Sequence, residues 1–303
     1  MGRLGLVFAG QGAQFVGMGR DLNETSAAAR QVFAAAEAAW PGLQALCFEG
    51  PAAELNQTIN TQPCLYVTDL ACAATVVEAG IEPDGVAGFS LGEVAAASFV
   101  GVMTPDQGLA FLRHRARAMD ECGQRLPGTM VAILGLDRAR AEAVIAEVED
   151  AYPVNYNCPG QIAVGCAVSS VTAVRQAVAA AGGKALPLTV SGAFHTPLMD
   201  QAAAELADLT ATMTFGSPRL PLYANLTAAP YGDAATLLAQ QVNHPVRWQD
   251  SIAAMVADGF DRFVEVGPGT TLSGFIRRID PRVTTLHVAD AASLAETIEA
   301  LHA

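Results

Sequence analysis

The sequence predicts an α/β protein: a large body built on a parallel β-sheet, with a small mixed subdomain inserted into it. Three observations carry this expectation. Short apolar runs alternate with longer amphipathic ones along most of the chain. A central stretch breaks that rhythm with paired strand-like runs. A glycine-flanked serine stands between a strand-like run and a helix-like one. Alternation of the first kind builds parallel sheets covered by helices on both faces.

In chain order, residues 4–9, 86–89, 222–225 and 262–266 read as strands of the large sheet, each ending in Gly, Asn or a turn. Residues 31–40, 65–79 and 105–119 carry helical patterns, and 94–103 reads as a buried helix. The centre differs. Residues 129–136 are strand-like, 138–151 form a charged helix, and 154–157 and 162–167 are two strands joined through Cys158-Pro159-Gly160. A helix at 171–181 and a strand at 185–190 complete the order β-α-β-β-α-β, that of a ferredoxin-like unit. Residues 124–192 are therefore expected to form the small subdomain. Residues 1–123 and 193–303 are expected to form the core, with crossings near Gly123 and Gly192.

Composition narrows the function. Of 303 residues, 51% are apolar and 16% charged, so a packed core is expected and disorder is not. No apolar run reaches the ~20 residues that span a bilayer, and no signal-peptide pattern opens the chain, so a cytoplasmic protein without a membrane partner is expected. A net charge of −13 argues against nucleic acid. The six cysteines form no C-x-x-C pair and have no histidine at zinc-ligand spacing, so no metal is expected and the thiols read as buried and free.

The most informative stretch is Gly88-Phe89-Ser90-Leu91-Gly92-Glu93. A nucleophilic serine on a sharp strand-to-helix turn needs small neighbours, and G-x-S-x-G supplies them, as in α/β-hydrolase-like proteins. The competing reading is a serine that caps a helix. A nucleophile needs a base, and there are five histidines. His302 lies in the terminal tail, His114 in an arginine-bearing helix, His287 in a late strand-like run, and His244 between Asn243 and Pro245. His195 lies in a Gly-entered turn leading into a helix, where a catalytic base belongs.

Five motifs, Gly10-Gln11-Gly12-Ala13-Gln14, the Ser90 segment, Tyr156-Asn157-Cys158-Pro159-Gly160-Gln161, Gly192-Ala193-Phe194-His195-Thr196-Pro197-Leu198-Met199 and Glu265-Val266-Gly267-Pro268-Gly269, stand in one order. In that order the sequence resembles the malonyl-CoA:acyl carrier protein transacylases, from about residue 5 to about residue 280. The resemblance implies Ser90 as nucleophile and His195 as general base. It implies the backbone carbonyl of Gln241 as the group that orients the histidine, and the backbone N–H groups of Gln11 and Leu91 as the oxyanion hole. Arg115 matches the arginine that binds the malonyl carboxylate. Arg113 and Arg117, on other helix faces, read as solvated. Phe194 goes with malonyl where Ser would go with methylmalonyl. Phe89 departs from the commoner His before the nucleophile, and Cys158 replaces a commoner Ser.

The implied reaction is a ping-pong transfer from malonyl-CoA to the phosphopantetheine thiol of an acyl carrier protein, with no bound cofactor. A monomer is expected, with Arg247, Arg277, Arg278 and Lys184 as candidate contacts for an acidic carrier protein. A serine hydrolase of the α/β-hydrolase type shares G-x-S-x-G but expects an acid between serine and histidine in chain order and water as acceptor. A carrier-binding module without catalysis would not need Ser90, His195 and Arg115 together.

Overall fold

The structure, a computed structural model, describes residues 2–302. Nine strands form two sheets: β1 (Arg3–Phe8), β2 (Gly85–Gly88), β3 (Gly128–Leu134), β4 (Ala151–Cys158), β5 (Gln161–Ala167), β6 (Lys184–Pro187), β7 (Leu222–Tyr223), β8 (Phe260–Val266) and β9 (Thr284–Val288). The larger sheet has the order β7-β2-β1-β8-β9 and every pair in it is parallel. The smaller has the order β4-β5-β3-β6 and every pair is antiparallel. With helices Arg138–Ala146 and Val171–Ala180 between its strands, the small sheet has the ferredoxin-like arrangement.

The strands of the large sheet are apolar because helices cover both faces. In β1, Leu6, Val7 and Phe8 are fully buried; Leu6 and Phe8 pack in one core cluster and Val7 in another, on alternate faces of the sheet. The sheet has five strands where the sequence suggests four, because the run around His287 pairs with β8. Elsewhere the differences are at element ends. The helix expected over 65–79 runs over Thr58–Glu78, beginning ahead of Pro63, which it holds inside its first turns. Ser26 caps the helix Ala27–Ala39 by accepting from Ala29 N–H, so that helix starts earlier than its apolar pattern. The helix Pro105–Arg125 opens with a full capping box of Thr104 and Gln107.

The loops after β1, β2 and β8 all leave the same, carboxyl-terminal edge of the sheet, on either side of the central β1. Such an edge is where parallel sheets hold ligands. The two crossings between the sheets lie side by side: a Cβ built on Gly123 would stand 3.1 Å from Ser191 O. The small sheet docks through its edge strand β4. Tyr156 N–H donates to Val246 O (3.0 Å) and Val246 N–H donates to Val154 O (2.8 Å), so residue 246 extends the sheet and covers its edge. Arg138 adds a bond to Asp250 (2.9 Å) while its guanidinium stacks 3.8 Å from the Tyr156 ring. Arg278 donates to Pro159 O (2.7 Å) and Gln161 Oε1 (2.8 Å).

Glu265 explains its own motif. It points from β8 into the interior, and its carboxylate accepts from the N–H groups of Leu272 (3.0 Å) and Ser273 (2.7 Å), in the first turn of the helix Thr271–Ile279. A buried carboxylate is tolerated where a helix N-terminus meets it. Glu265→Ala should destabilise the protein by ~2–4 kcal/mol, and Glu265→Gln by less, because the amide oxygen keeps one acceptor. Urea denaturation of the three proteins checks the ranking.

Candidate active site

Ser90 occupies the turn between β2 and the helix Leu91–Phe99 with φ 53° and ψ −103°. That backbone is disfavoured for a residue with a Cβ, at ~1–3 kcal/mol, and persists only where the surroundings enforce it. Here they do. A Cβ on Gly88 would lie 2.0 Å from the carbonyl carbon of Gly92, and one on Gly92 would lie 2.2 Å from Phe8 O. Strand, turn and helix approach this closely only with glycine at both positions. Asn225, just past β7, clamps the turn by accepting from Ser90 N–H (2.8 Å) and donating to Gly88 O (2.7 Å).

The structure brings His195 to Ser90. Nε2 lies 2.7 Å from Ser90 Oγ, and Nδ1 lies 2.8 Å from Gln241 O. A carbonyl only accepts, so Nδ1 carries the proton and Nε2 offers a lone pair to the serine hydroxyl. The ring is held by its own backbone as well: His195 has φ 63°, and its N–H donates to Val242 O (2.9 Å). Burial, reinforced by the positive charge of Arg115, lowers its pKa to about 4, so the imidazole is neutral at neutral pH.

Arg115 lies in the same pocket, 1% exposed. Its Nη2 donates to Gln241 Oε1 (2.8 Å) and, more weakly, to Ser90 Oγ (3.3 Å); its Nη1 donates to Gln62 Oε1 (2.8 Å). Its Nε has no partner among the described residues. Burial lowers the guanidinium pKa to about 10, which leaves it charged at neutral pH. Arg113 instead lies over the Trp40 ring at 4.9 Å, and Arg117 pairs loosely with Glu121 at 4.0 Å on the surface.

Gln241 serves the site twice. Its backbone carbonyl meets His195, and its amide lies between Arg115 on the oxygen side and Glu93 (2.5 Å) and Ser90 O (2.9 Å) on the nitrogen side. The loop after β1 packs directly on the serine turn: a Cβ on Gly10 would stand 2.6 Å from Phe89 O. The backbone N–H groups of Gln11 and Leu91 donate to no acceptor among the described residues. Beside Gln11 a cavity of about 690 Å³ opens, lined also by Thr58, Val190 and Ser191.

Phe194 is buried in the main core, its ring so close over Gly192 that a Cβ there would meet it at 2.9 Å. Phe89 has an apolar setting: its ring meets Trp248 edge-on at 5.5 Å and Phe275 at 6.3 Å. A histidine there would face carbon on those sides. Of the other histidines, His244 bonds Gln240 O (2.9 Å), His287 lies in β9, and His114 and His302 are exposed. Among the basic candidates, Arg247 pairs with Asp250 (3.0 Å), Arg277 bonds Thr285 (2.7 Å), Arg278 ties down the Pro159 loop, and Lys184 is exposed on β6.

Sequence reasoning missed three members of this network. Gln62 stands among other polar residues, Asn60 and Thr61, Asn225 closes a short strand, and Glu93 enters the sequence reading only as a letter of the serine motif. A charge in the otherwise apolar stretch 91–97 is the one signal that could single out Glu93; Gln62 carries none.

Comparison with known proteins gives one answer. The acyl transferase domain family matches residues 6–295. The malonyl CoA-acyl carrier protein transacylase of Bacillus subtilis (strain 168) is 35% identical over 310 residues, covering 99% of this chain and 98% of that protein. The crystal structure of malonyl CoA-acyl carrier protein transacylase from Clostridium perfringens superposes with a TM-score of 0.96 at 31% identity, covering 99% and 97% of the two chains. A malonyl-transacylase solved in complex with its type II PKS acyl-carrier protein gives a TM-score of 0.94 at 34% identity, covering 98% and 99%. The glycine-bound serine turn, the neutral imidazole and the buried arginine thus stand on the shared scaffold, and the chain belongs to the acyl transferase family, alongside the malonyl CoA-acyl carrier protein transacylases.

Proposed function

We propose that this protein moves a malonyl group from malonyl-CoA to the phosphopantetheine thiol of an acyl carrier protein, through a malonyl ester on Ser90. The observation that carries the reading is one serine oxygen 2.7 Å from a neutral histidine nitrogen and 3.3 Å from a buried guanidinium. A base and a carboxylate receptor meet at a single nucleophile. The relatives named above support the donor and the acceptor. The six free, buried cysteines support a reducing, cytoplasmic setting. Among the described residues, no helix is long and apolar enough to cross a membrane. Residues 124–192, as a subdomain beside a core of 1–123 and 193–303, belong to the same reading.

Ser90 Oγ attacks the thioester carbonyl as His195 Nε2 takes its proton. The tetrahedral oxyanion falls to the N–H groups of Gln11 and Leu91, each such donor supplying ~3 kcal/mol to the barrier. The C–S bond breaks, and the imidazolium returns the proton to the departing CoA thiolate. The carrier thiol then gives its proton to Nε2, attacks the ester, and regenerates Ser90. Gln241 O stays neutral and fixes the imidazole tautomer, the task a carboxylate performs in a triad. The malonyl carboxylate meets the Nε and Nη2 edge of Arg115, where Nε is free and Nη2, already bonded to Gln241, makes only a long second contact, to Ser90 Oγ. Acetyl leaves that charge unpaired, which disfavours it. On this reading Phe194 disfavours an α-methyl on the acyl group, so Phe194→Ser should improve use of methylmalonyl-CoA by ~10–200-fold relative to malonyl-CoA, read as a ratio of kcat/KM.

Acid-quenched labelling with radioactive malonyl-CoA tests the core of this reading. Wild type should hold about one stable label per chain and Ser90→Ala none. Arg115→Ala should lose most of its preference for malonyl over acetyl. Equal label on Ser90→Ala would sink the proposed nucleophile.

The histidine makes a separate prediction. With a pKa lowered to about 4, the base stays deprotonated well below the usual histidine range. Acylation of Ser90 by p-nitrophenyl acetate, which has no carboxylate to engage Arg115, should keep its rate from pH 7 to pH 5. A histidine at the ordinary ~6.5 would lose more than tenfold over that span. Stopped-flow release of p-nitrophenol separates the two.

A further inference from the structure

Glu93 is the buried carboxyl group nearest the chemistry, and the reaction as derived leaves it idle. It is 1% exposed. Its Oε2 accepts from Gln241 Nε2 (2.5 Å) and Asn225 N–H (3.2 Å). Through the Gln241 amide it is linked to Arg115, whose Nη2 donates to the other end of that amide at 2.8 Å. The groups facing Glu93 are therefore Gln241, Asn225, Arg115 across the amide, and the buried hydroxyl of Tyr231. Arg115 has no anion in direct contact; its near partners are the neutral Gln62, Gln241 and Ser90.

We propose that Glu93 is a positioning and selectivity residue: it balances the charge of Arg115 while the site is empty and takes up a proton when the malonyl carboxylate arrives. This rests on the function proposed above. A buried guanidinium without a nearby anion is unfavourable, and an amide between the two charges relays their attraction. The relay also fixes the amide: its oxygen faces the cation, its nitrogen the anion. When a malonyl carboxylate pairs with Arg115, two anions share one buried cation. The one with a reachable neutral form gives way. Burial has already raised Glu93 to about 7, so the proton is available at working pH. Linkage is reciprocal: what protonation of Glu93 adds to malonyl affinity, bound malonyl adds to proton affinity.

The sign follows. Below pH 7 Glu93 is neutral and Arg115 is open to malonyl. Above it, ionised Glu93 competes with the incoming carboxylate. Acetyl carries no charge and is indifferent. The malonyl-to-acetyl ratio of kcat/KM should therefore fall about tenfold from pH 6 to pH 8. His195 does not titrate in that window. Glu93→Gln keeps both acceptor contacts through its amide oxygen and removes the charge, so its ratio should be high and flat with pH. A merely structural Glu93 would lower both substrates together at every pH, and that result, or an unchanged slope in Glu93→Gln, overturns the proposal. Calorimetry of free malonate binding to Ser90→Ala at pH 7, in buffers of different ionisation enthalpy, counts protons without any acylation. Uptake of a sizeable fraction of a proton, abolished by adding Glu93→Gln, is the expected result, and no uptake refutes it. If no thioester loads Ser90, the transfer reading falls while this proton count still decides the role of Glu93.

Discussion

The carbonyls of Phe8 and Ala9 lie where the side chain of residue 92 would be, and the backbone of Gly92 lies where that of residue 88 would be. This contact between the end of β1 and the start of the helix Leu91–Phe99 places the serine. It sets the height of Ser90 above the sheet, brings the Gly10 loop within reach of the same point, and leaves Asn225 to close the turn from the far side. Catalytic position here is a matter of backbone packing before it is one of side chains. A methyl group at either glycine would displace Ser90, the neighbouring Gly10 loop and the helix end together.

On that frame the site concentrates charge away from water. Arg115 and His195 are both buried and close, and burial, reinforced by the charge of Arg115, keeps the histidine neutral. Dipoles fixed in a water-poor pocket stabilise developing charge without reorganising, which suits a reaction that passes through an oxyanion and an imidazolium. The choice of a carbonyl over a carboxylate behind His195 fits the same pocket. A third anion would have to be desolvated beside Arg115 and would compete with the substrate for it.

The layout of the protein is largely legible in its sequence because period and punctuation are local. The apolar run of β1, the glycines around Ser90 and the β-α-β-β-α-β order announce themselves without any knowledge of the fold. Distant pairings do not. Ser90 and His195 lie 105 positions apart, and His195 and Gln241 lie 46 apart. Local context marks Ser90 and His195 as candidates, but only the resemblance joins them to each other and to Gln241. The side-chain amide of Gln241 and the carboxyl of Glu93 escape both, because a polar residue in a sequence gives no sign of what its side chain faces. Element ends differ where a cap starts a helix ahead of its apolar pattern, as at Ser26, and where a helix runs through a proline, as at Pro63.

The docking of β4 on Val246 has a mechanical consequence. The carbonyl that aims His195 belongs to residue 241, and the strand-like contact that holds the small sheet belongs to residue 246. The short piece of chain between them is anchored to the His195 ring at one end and to the second sheet at the other, so the seam between the two sheets and the aim of the imidazole share one stretch of backbone.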